Sequence, residues 1–463
     1  MLIKSKKILL VGVLVYLIYG ALAILFYKER TAFLDMAYHT FTIIKDKTFA
    51  IQNFRFGAAL TQAVPLVASS IHLSLKNILI LYSLSFPLLY AISFLIIVGA
   101  IGSVRVGIIL LLFNVMMITH TFYWTQSELP QGIALMLILV ALIDYVNKRK
   151  EAEQTWWLFP ISVLLLFVSS FTHPLLIIPF TYIIFFLYVS NDDKVAKFRL
   201  LSYFFTFVGF FILKIVFFKT TYDSGAFGAL KDVKSLLPQV LTLTSSKNFY
   251  LYLFKDYYFL LVLMLVNSWY YWKQKSFVKL IGMWVFELGF IALVNMTYAV
   301  GSEQFYLENQ YLILQIFLLF PFVFDVLPSV SDYKLVILLS SIAVIGFLRI
   351  YSAHGLYTQR LHWFEHKIQE FESRNVDKVL IPEAGVPKDT LLMTWGSCYE
   401  FWLLSTLEHN HSMSVIVEEK QGEYDWALNS NKAFLSKWGL FDYKEMDPKY
   451  FIFKDTVSTY KKL

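Results

Sequence analysis

Long apolar runs recur along the chain, separated by short polar stretches, and this pattern predicts a helical membrane protein. A helix needs about 20 consecutive apolar residues to cross a bilayer, and most of the runs approach that length. They lie near residues 8–26, 77–100, 105–121, 131–146, 156–172, 175–190, 200–218, 257–272, 278–299, 309–328 and 333–351. We therefore expect a polytopic α-helical membrane protein with about eleven transmembrane helices.

Composition supports this prediction. The chain has 463 residues, of which 58% are hydrophobic and 18% aromatic, and its mean hydropathy is +0.60. A soluble fold of this size is not so apolar. Lys and Arg outnumber Asp and Glu by 40 to 33, a surplus that we attribute to loop orientation and not to nucleic-acid binding. The single cysteine, Cys398, excludes an internal disulfide and a multi-cysteine metal cluster.

The basic residues also predict an orientation. They precede the first predicted helix and follow the fourth, sixth and eighth, so all of them lie on one side, which the positive-inside rule identifies as the cytoplasm. The first run could also be a signal peptide, but no small-residue cleavage site precedes YKER, so we interpret it as the first transmembrane helix. We expect an integral protein of a bacterial inner membrane with a cytoplasmic N-terminus. The residues concerned are Lys4, Lys6, Lys7, Lys148, Arg149, Lys150, Lys194, Lys197, Arg199, Lys273, Lys275 and Lys279.

The last quarter of the chain has the composition of a soluble protein. We therefore divide the chain into a transmembrane domain, residues 1–351, and a small α/β domain, residues 352–463, which an odd number of helices places in the periplasm. An amphipathic helix is indicated by apolar residues at helical spacing, and a second helix by GSCYEFWLLSTLEHN. Short strands are indicated by DKVLIPE, TLLMTW, MSVIVEE and KYFIF. The apolar residues of the amphipathic helix are Leu361, Phe364, Ile368 and Phe371.

Unusual polar residues collect in the loops that this topology places outside. In FLDMAYH, Asp35 and His39 are one helical turn apart, so both would face the same way. Asp35 could be a general base that activates a hydroxyl, or it could pair with Arg30 or cap a helix. His39 is either an interfacial residue or a ligand of the same site.

Two further loop residues could contribute charge. Glu128 opens the helix that follows TQSELPQG, where it could orient an acceptor or bind a divalent metal, or be a helix-start acid favoured by the macrodipole. Arg55 lies in FRFG, where it could bind a phosphate or anchor the chain at the interface.

His173 and Lys214 lie at the outer ends of predicted helices. His173 precedes a proline in FTHPLL and could bond a phosphate or a backbone carbonyl. Lys214, in FFILKIVFF, could contact a leaving group or extend its amine to the interface.

The order of these motifs resembles that of the GT-C superfamily of polytopic glycosyltransferases, which includes protein O-mannosyltransferases and aminoarabinose transferases. An acid follows the first helix (Asp35), and a second acid opens the next outer loop (Glu128). A His-Pro pair (His173) comes next, and a Glu-x-x-Tyr motif (Glu308 to Tyr311 in LENQY) precedes a late helix.

The resemblance implies a glycosyltransferase that takes a sugar from a polyprenyl-phosphate donor and transfers it to an acceptor hydroxyl of a glycan, lipid or protein. Asp35 would deprotonate the acceptor, and Glu128, the second catalytic residue, would orient the acceptor or hold the Asp35 loop. The implied substrate-binding residues are Arg55, His173, Lys214, His39, Glu308 and Tyr311. No cofactor is implied with certainty, although a divalent metal is an alternative.

Two other functions remain compatible with the sequence. A transporter or flippase of lipid-linked sugar would place ionisable residues near the middle of helices, and Lys214 and Glu287 are candidates. A non-catalytic subunit of an envelope complex would keep the fold and use the outer domain for docking. The sequence identifies neither the sugar nor the acceptor.

Overall fold

A computed structural model describes residues 2–125, 127–148, 158–222 and 232–463, and side chains from residue 6 onward except that of Lys148. The predicted cytoplasmic residues Lys4, Arg149 and Lys150, and the first two residues of the run predicted at 156–172, therefore have no described side chains.

Helices account for most of the described chain. In the membrane-protein part they are α1 Leu2–Leu25, α2 Tyr27–Thr31, α3 Asp35–Asp46, α4 Ala59–Ser70, α5 Leu75–Leu95, α6 Val104–Met116, α7 Glu128–Lys148, α8 Leu158–Thr172, α9 Ile177–Val189, α10 Lys194–Phe217, α11 Val233–Leu236, α12 Thr244–Lys255, α13 Tyr258–Lys273, α14 Phe277–Thr297, α15 Gln304–Tyr311, α16 Leu314–Pro321 and α17 Asp332–Ser373. The C-terminal region adds α18 Lys388–Leu391 and α19 Ser397–His409.

Among the described residues, seven helices are long and apolar enough to cross a membrane, and eight if the bent pair α12 and α13 forms one span. Three of the other predicted runs form shorter apolar helices, α6, α8 and the segment Pro174–Val189. Only 17% of the most apolar window of α10 is buried inside the protein, and Phe198, Phe205 and Phe217 are largely exposed. Such a surface requires an apolar solvent, so the chain is a helical membrane protein.

Helix α17 continues from the membrane part into the C-terminal domain. Its 42 residues extend over about 60 Å, roughly twice the thickness of the hydrocarbon core. The predicted division after residue 351 therefore falls inside a continuous helix. The predicted amphipathic half is confirmed, because Leu361, Phe364, Ile368 and Phe371 are all buried.

The C-terminal domain contains a three-stranded parallel sheet in the order β2-β1-β5 and an antiparallel hairpin of β3 and β4. The strands are β1 Lys378–Ile381, β2 Ser414–Val417, β3 Ala433–Ser436, β4 Gly439–Asp442 and β5 Lys461–Lys462. Helix α19 is the helix predicted in GSCYEFWLLSTLEHN, and it lies between β1 and β2 along the chain. Packing is tight at this crossover, since both strands are fully buried.

Two of the predicted strands in this domain are wrong. TLLMTW contains the end of α18 and then Leu392 at φ +61°, a left-handed conformation that interrupts extended pairing. KYFIF forms no strand, and Ile452 makes only isolated bonds to Ser412.

Helix α3 packs into both parts of the molecule. Ala37, Phe41 and Ile44 belong to the hydrophobic core of the C-terminal domain, whereas Met36 and Ile43 belong to the core of the membrane part. Asp35, Tyr38 and His39 of α3 line a cavity.

Gly346 allows a close contact between α17 and α6. A Cβ at this position would lie 2.2 Å from the backbone oxygen of Val115, so we expect Gly346→Ala to lower the free energy of unfolding by about 1–3 kcal/mol. Gly355→Ala in the same helix is the control, because nothing lies within 4 Å of the added Cβ and alanine favours a helix. Thermal unfolding in detergent measures both, and equal melting temperatures would contradict the proposed close contact.

Candidate active site

A cavity of about 670 Å³ lies between the membrane helices and the C-terminal domain. We call it the chamber. Five of the eight residues predicted from the sequence line it. These are Asp35, His39, Arg55, Glu128 and His173, with Leu34, Tyr38, Gln52, Asn53, Trp124, Ser127, Tyr222, Phe305, Tyr306, Asn309, Gln310, Met393, Trp395, Lys437 and Trp438 as neighbours.

Asp35 is the first residue of α3 and is partly buried in the chamber wall. Its Oδ2 atom accepts a hydrogen bond from Trp124 Nε1 at 2.8 Å. Burial raises the pKa of Asp35 above its ordinary value, and the bond from Trp124 and the charge of Arg55 oppose that shift. A carboxylate of raised pKa that faces a cavity is suited to accept a proton.

The structure does not support a salt bridge between Asp35 and Arg30. Arg30 is fully buried, and its guanidinium donates to Ser83 Oγ at 2.7 Å, to Ser83 O at 3.1 Å and to Phe122 O. Arg30 therefore ties α2 to α5 and to the loop that carries Trp124.

Arg55 and Glu128 form an ion pair in the chamber wall. Arg55 Nη1 donates to Glu128 Oε2 at 3.1 Å, and the side chains are 11% and 9% exposed. The guanidinium also lies over the ring of Tyr222, 5.3 Å from its centroid. Glu128 is the first residue of α7, where the macrodipole favours a carboxylate. The pair thus fixes a cation and an anion beside Asp35.

His173 lies between α8 and α9. Its Nδ1 accepts the backbone N–H of Leu175 at 3.2 Å, so in the neutral ring Nε2 carries the proton. Burial and the nearby charges of Arg55 and Lys214 hold the pKa of His173 well below its usual range. His173 is therefore a neutral hydrogen-bond donor at physiological pH.

Lys214 does not line the chamber. It is buried, and its amine donates to Phe171 O at 3.3 Å. Its positive charge is one of the causes that lower the pKa of His173.

His39 lies one turn from Asp35 on the chamber side of α3, as the spacing predicted. It is 2% exposed, so it does not lie at an open membrane interface. Its Nδ1 is 3.5 Å from Gln62 Nε2.

Glu308 and Tyr311 are fully buried behind the chamber. Glu308 Oε1 accepts from Thr119 N at 2.8 Å and from Thr121 N at 2.9 Å, and Tyr311 donates to Asn295 Oδ1 at 2.5 Å. The structure therefore gives these two residues contacts within the protein and does not place them among the chamber residues. Other residues of the same helix face the chamber instead, namely Phe305, Tyr306, Asn309 and Gln310.

A narrower apolar cavity of about 170 Å³ shares part of the chamber wall. We call it the groove. Arg55, His173, Tyr222, Tyr306 and Gln310 line both cavities. The rest of the groove is lined by Pro174, Leu175, Ile177, Ile178, Phe211, Phe290, Leu293, Val294, Thr297 and Tyr298. A polar cavity and an apolar one therefore meet at a cation and a neutral imidazole.

Three aromatic residues, Tyr38 of α3 and Trp395 and Trp438 of the C-terminal domain, line the chamber together. Trp438, at the turn between β3 and β4, is 56% exposed. Its ring centroid lies 4.8 Å from that of Tyr38 and 5.4 Å from that of Trp395. We call these three residues the roof.

Sequence reasoning did not identify the roof, Trp124 or Tyr222. The tryptophans Trp395 and Trp438 in a soluble domain could have indicated a binding surface. Their position in the same cavity as Asp35, however, depends on the packing of α3 against that domain. In the described ranges, no group of three or more His, Cys, Asp or Glu side chains is placed to hold a metal ion. The carboxylates that line the chamber are those of Asp35 and Glu128.

Comparisons with known proteins return no relative on which to base an assignment. No protein-family model, curated protein or solved structure matches the chain.

Proposed function

We propose that this protein is a membrane glycosyltransferase that moves a sugar from a polyprenyl-phosphate donor to an acceptor hydroxyl at the outer face of the membrane. The observation that carries this proposal is the junction of the chamber and the groove at Arg55 and His173. An amphipathic donor needs such a junction, because its sugar phosphate requires polar partners while its hydrocarbon tail requires apolar walls.

The residues at the junction suit a phosphodiester. Arg55 offers a guanidinium fork, which binds phosphate oxygens well, and His173 offers a neutral N–H. The tail would follow the groove past Ile177, Phe290 and Leu293, which line it from α9 and α14.

The chemistry is a displacement at the anomeric carbon. The acceptor oxygen forms the new bond to that carbon while Asp35 takes the hydroxyl proton. The bond from the anomeric carbon to the phosphate oxygen breaks, and its electron pair leaves with the polyprenyl phosphate. Arg55 and His173 stabilise the negative charge that develops there, with the potential of Lys214 behind them. Glu128 holds Arg55 in position.

The acceptor would enter from the periplasmic side, beneath the roof. Tyr38 is one turn after Asp35, so a ring that packs against Tyr38 and Trp438 would present its hydroxyl groups near the proposed base. The C-terminal domain would thereby select the acceptor.

The first prediction of the proposed function concerns Asp35, the proposed general base. We expect Asp35→Asn to reduce transfer by about 10²–10⁴-fold, because an amide cannot accept the proton. Asp46→Asn is the control, since Asp46 ends the same helix with its side chain 44% exposed. Mass analysis of envelope glycans and glycoproteins, in cells that lack this chain and carry each variant, measures the product.

The pH dependence adds a second readout. Because burial raises the pKa of Asp35 above 3.8, the transfer rate in isolated membranes should rise with pH through that raised pKa and then level. Full activity of Asp35→Asn would contradict the enzymatic proposal and favour a transporter or a non-catalytic subunit.

The second prediction concerns the groove. We expect Leu293→Trp to fill it and to weaken the binding of undecaprenyl phosphate about tenfold, since overpacking costs about 1–3 kcal/mol. Leu288→Trp on the same helix is the control, because Leu288 is 51% exposed and lies outside the groove. Native mass spectrometry of the detergent-solubilised protein measures both affinities, and an unchanged affinity for Leu293→Trp would exclude the groove as the tail site.

The third prediction concerns orientation. We propose a cytoplasmic N-terminus and a periplasmic C-terminal domain, and we expect Lys388→Cys to react with an impermeant maleimide in intact spheroplasts and Gln274→Cys to react only after permeabilisation. Both positions are exposed. Native Cys398 gives little background because it is buried and burial raises the pKa of its thiol. The reverse labelling pattern would overturn the orientation.

A further inference from the structure

The residue before the proposed base has an unusual backbone conformation. Leu34 has φ +42° and ψ −109°, which resembles the first central position of a type II′ turn, a position that glycine occupies most readily. In a leucine this conformation persists only where the surroundings impose it. Leu34 is also buried and lines the chamber.

A carboxylate of the C-terminal domain holds this residue. Glu400 lies in the first turn of α19. Its Oε1 atom accepts a hydrogen bond from the backbone N–H of Leu34, with an N–O distance of 3.0 Å. The side chain of Glu400 is fully buried, so it contacts the chain between α2 and α3 from inside the protein.

Arg360 of α17 fixes that carboxylate. Its Nη2 donates to Glu400 Oε1 at 2.6 Å and to Oε2 at 2.8 Å, and its Nε donates to Oε2 at 3.0 Å. The guanidinium also lies 5.1 Å from the ring centroid of Phe33, the neighbour of Leu34. Both charged side chains are almost completely buried, at 1% and 0% exposed.

The backbones approach closely at the same place. A Cβ on Gly396, the residue before α19, would lie 3.0 Å from Leu34 Cα. Glycine at this position therefore lets the start of α19 press against the turn that precedes Asp35.

We propose that Glu400, fixed by Arg360, is a positioning residue for Asp35: it holds the Leu34 N–H and thereby imposes the turn that aims the Asp35 carboxylate into the chamber. This inference rests on the proposed role of Asp35 as a base. It makes the C-terminal domain part of the active site and not only its cover.

The alternative is that the ion pair merely joins the domain to the membrane part. Removing one partner cannot distinguish the two, because an unpaired buried charge destabilises any protein. Two double variants can. Arg360→Met with Glu400→Gln removes both charges and keeps a carbonyl oxygen for the Leu34 N–H, whereas Arg360→Met with Glu400→Met removes the charges and that acceptor.

The experiment compares these full-length variants by amide hydrogen exchange across residues 27–46 and by transfer kinetics. We expect the Gln variant to keep slow exchange at Leu34 and most of its kcat. The Met variant should exchange faster there and lose roughly tenfold to a hundredfold in kcat, because small misplacements of a catalytic group have large effects, while its KM for the donor stays close to that of the parent. Equal exchange and equal kcat in the two variants would overturn the proposal.

A third variant keeps the test decisive if the Met variant unfolds. Leu34→Gly, added to the Met pair, adopts the turn without strain, so it should recover part of the transfer, and no recovery would count against positioning. Glu383→Gln, which breaks the exposed pair with Lys388 in the same domain, is the control and should leave exchange at Leu34 unchanged. The exchange readout does not require transfer, so failure of the positioning role is distinguishable from failure of the proposed function.

Discussion

An ionisable side chain among apolar helices is stable only where other groups replace the water that it has lost. In this protein the replacement is made by groups from neighbouring helices and from the loops between them. Arg30 donates hydrogen bonds to Ser83 and to Phe122 O, Arg55 pairs with Glu128, and Arg360 pairs with Glu400. Each of these contacts joins segments that are distant in sequence, so satisfying the charges also fixes the loops, and the fixed loops form the chamber.

Helix α3 shows how closely the two parts of the molecule depend on each other. The ring centroid of Phe41 lies 5.0 Å from that of Phe434 and 5.2 Å from that of Trp402 in the C-terminal core. Met36, on the same helix, packs in the core of the membrane part. Asp35 and His39 of the same helix line the chamber. The base proposed here is therefore held by a helix that neither part could position alone.

This dependence explains what could be predicted from the sequence. Helices follow from local apolar runs, and the positions of the runs were predicted. Asp35 and His39 share a face because helical periodicity is local.

By contrast, the choice between the faces of α15 depends on tertiary packing, and for this reason Glu308 was predicted at the site while Gln310 was not. The same holds for the domain boundary, since composition changes near Tyr351 although the helix does not end there. The strands β3 and β4 were also missed, since a short hairpin of four-residue strands has little periodicity to detect.

Charge in the chamber limits how the proposed reaction can proceed. A donor phosphodiester would enter a space that already contains the carboxylates of Asp35 and Glu128, and the leaving phosphate gains further negative charge. Lys437 lines the chamber but pairs with Glu419 at 2.7 Å, so Arg55 carries most of the compensation, although Glu128 already neutralises part of its charge. In the proposed reaction, affinity for the phosphate would thus be lower than a lone arginine would give. In return the guanidinium would be fixed before the donor arrives, so its interaction would strengthen as the bond to the phosphate breaks, which would lower the barrier and not merely the dissociation constant.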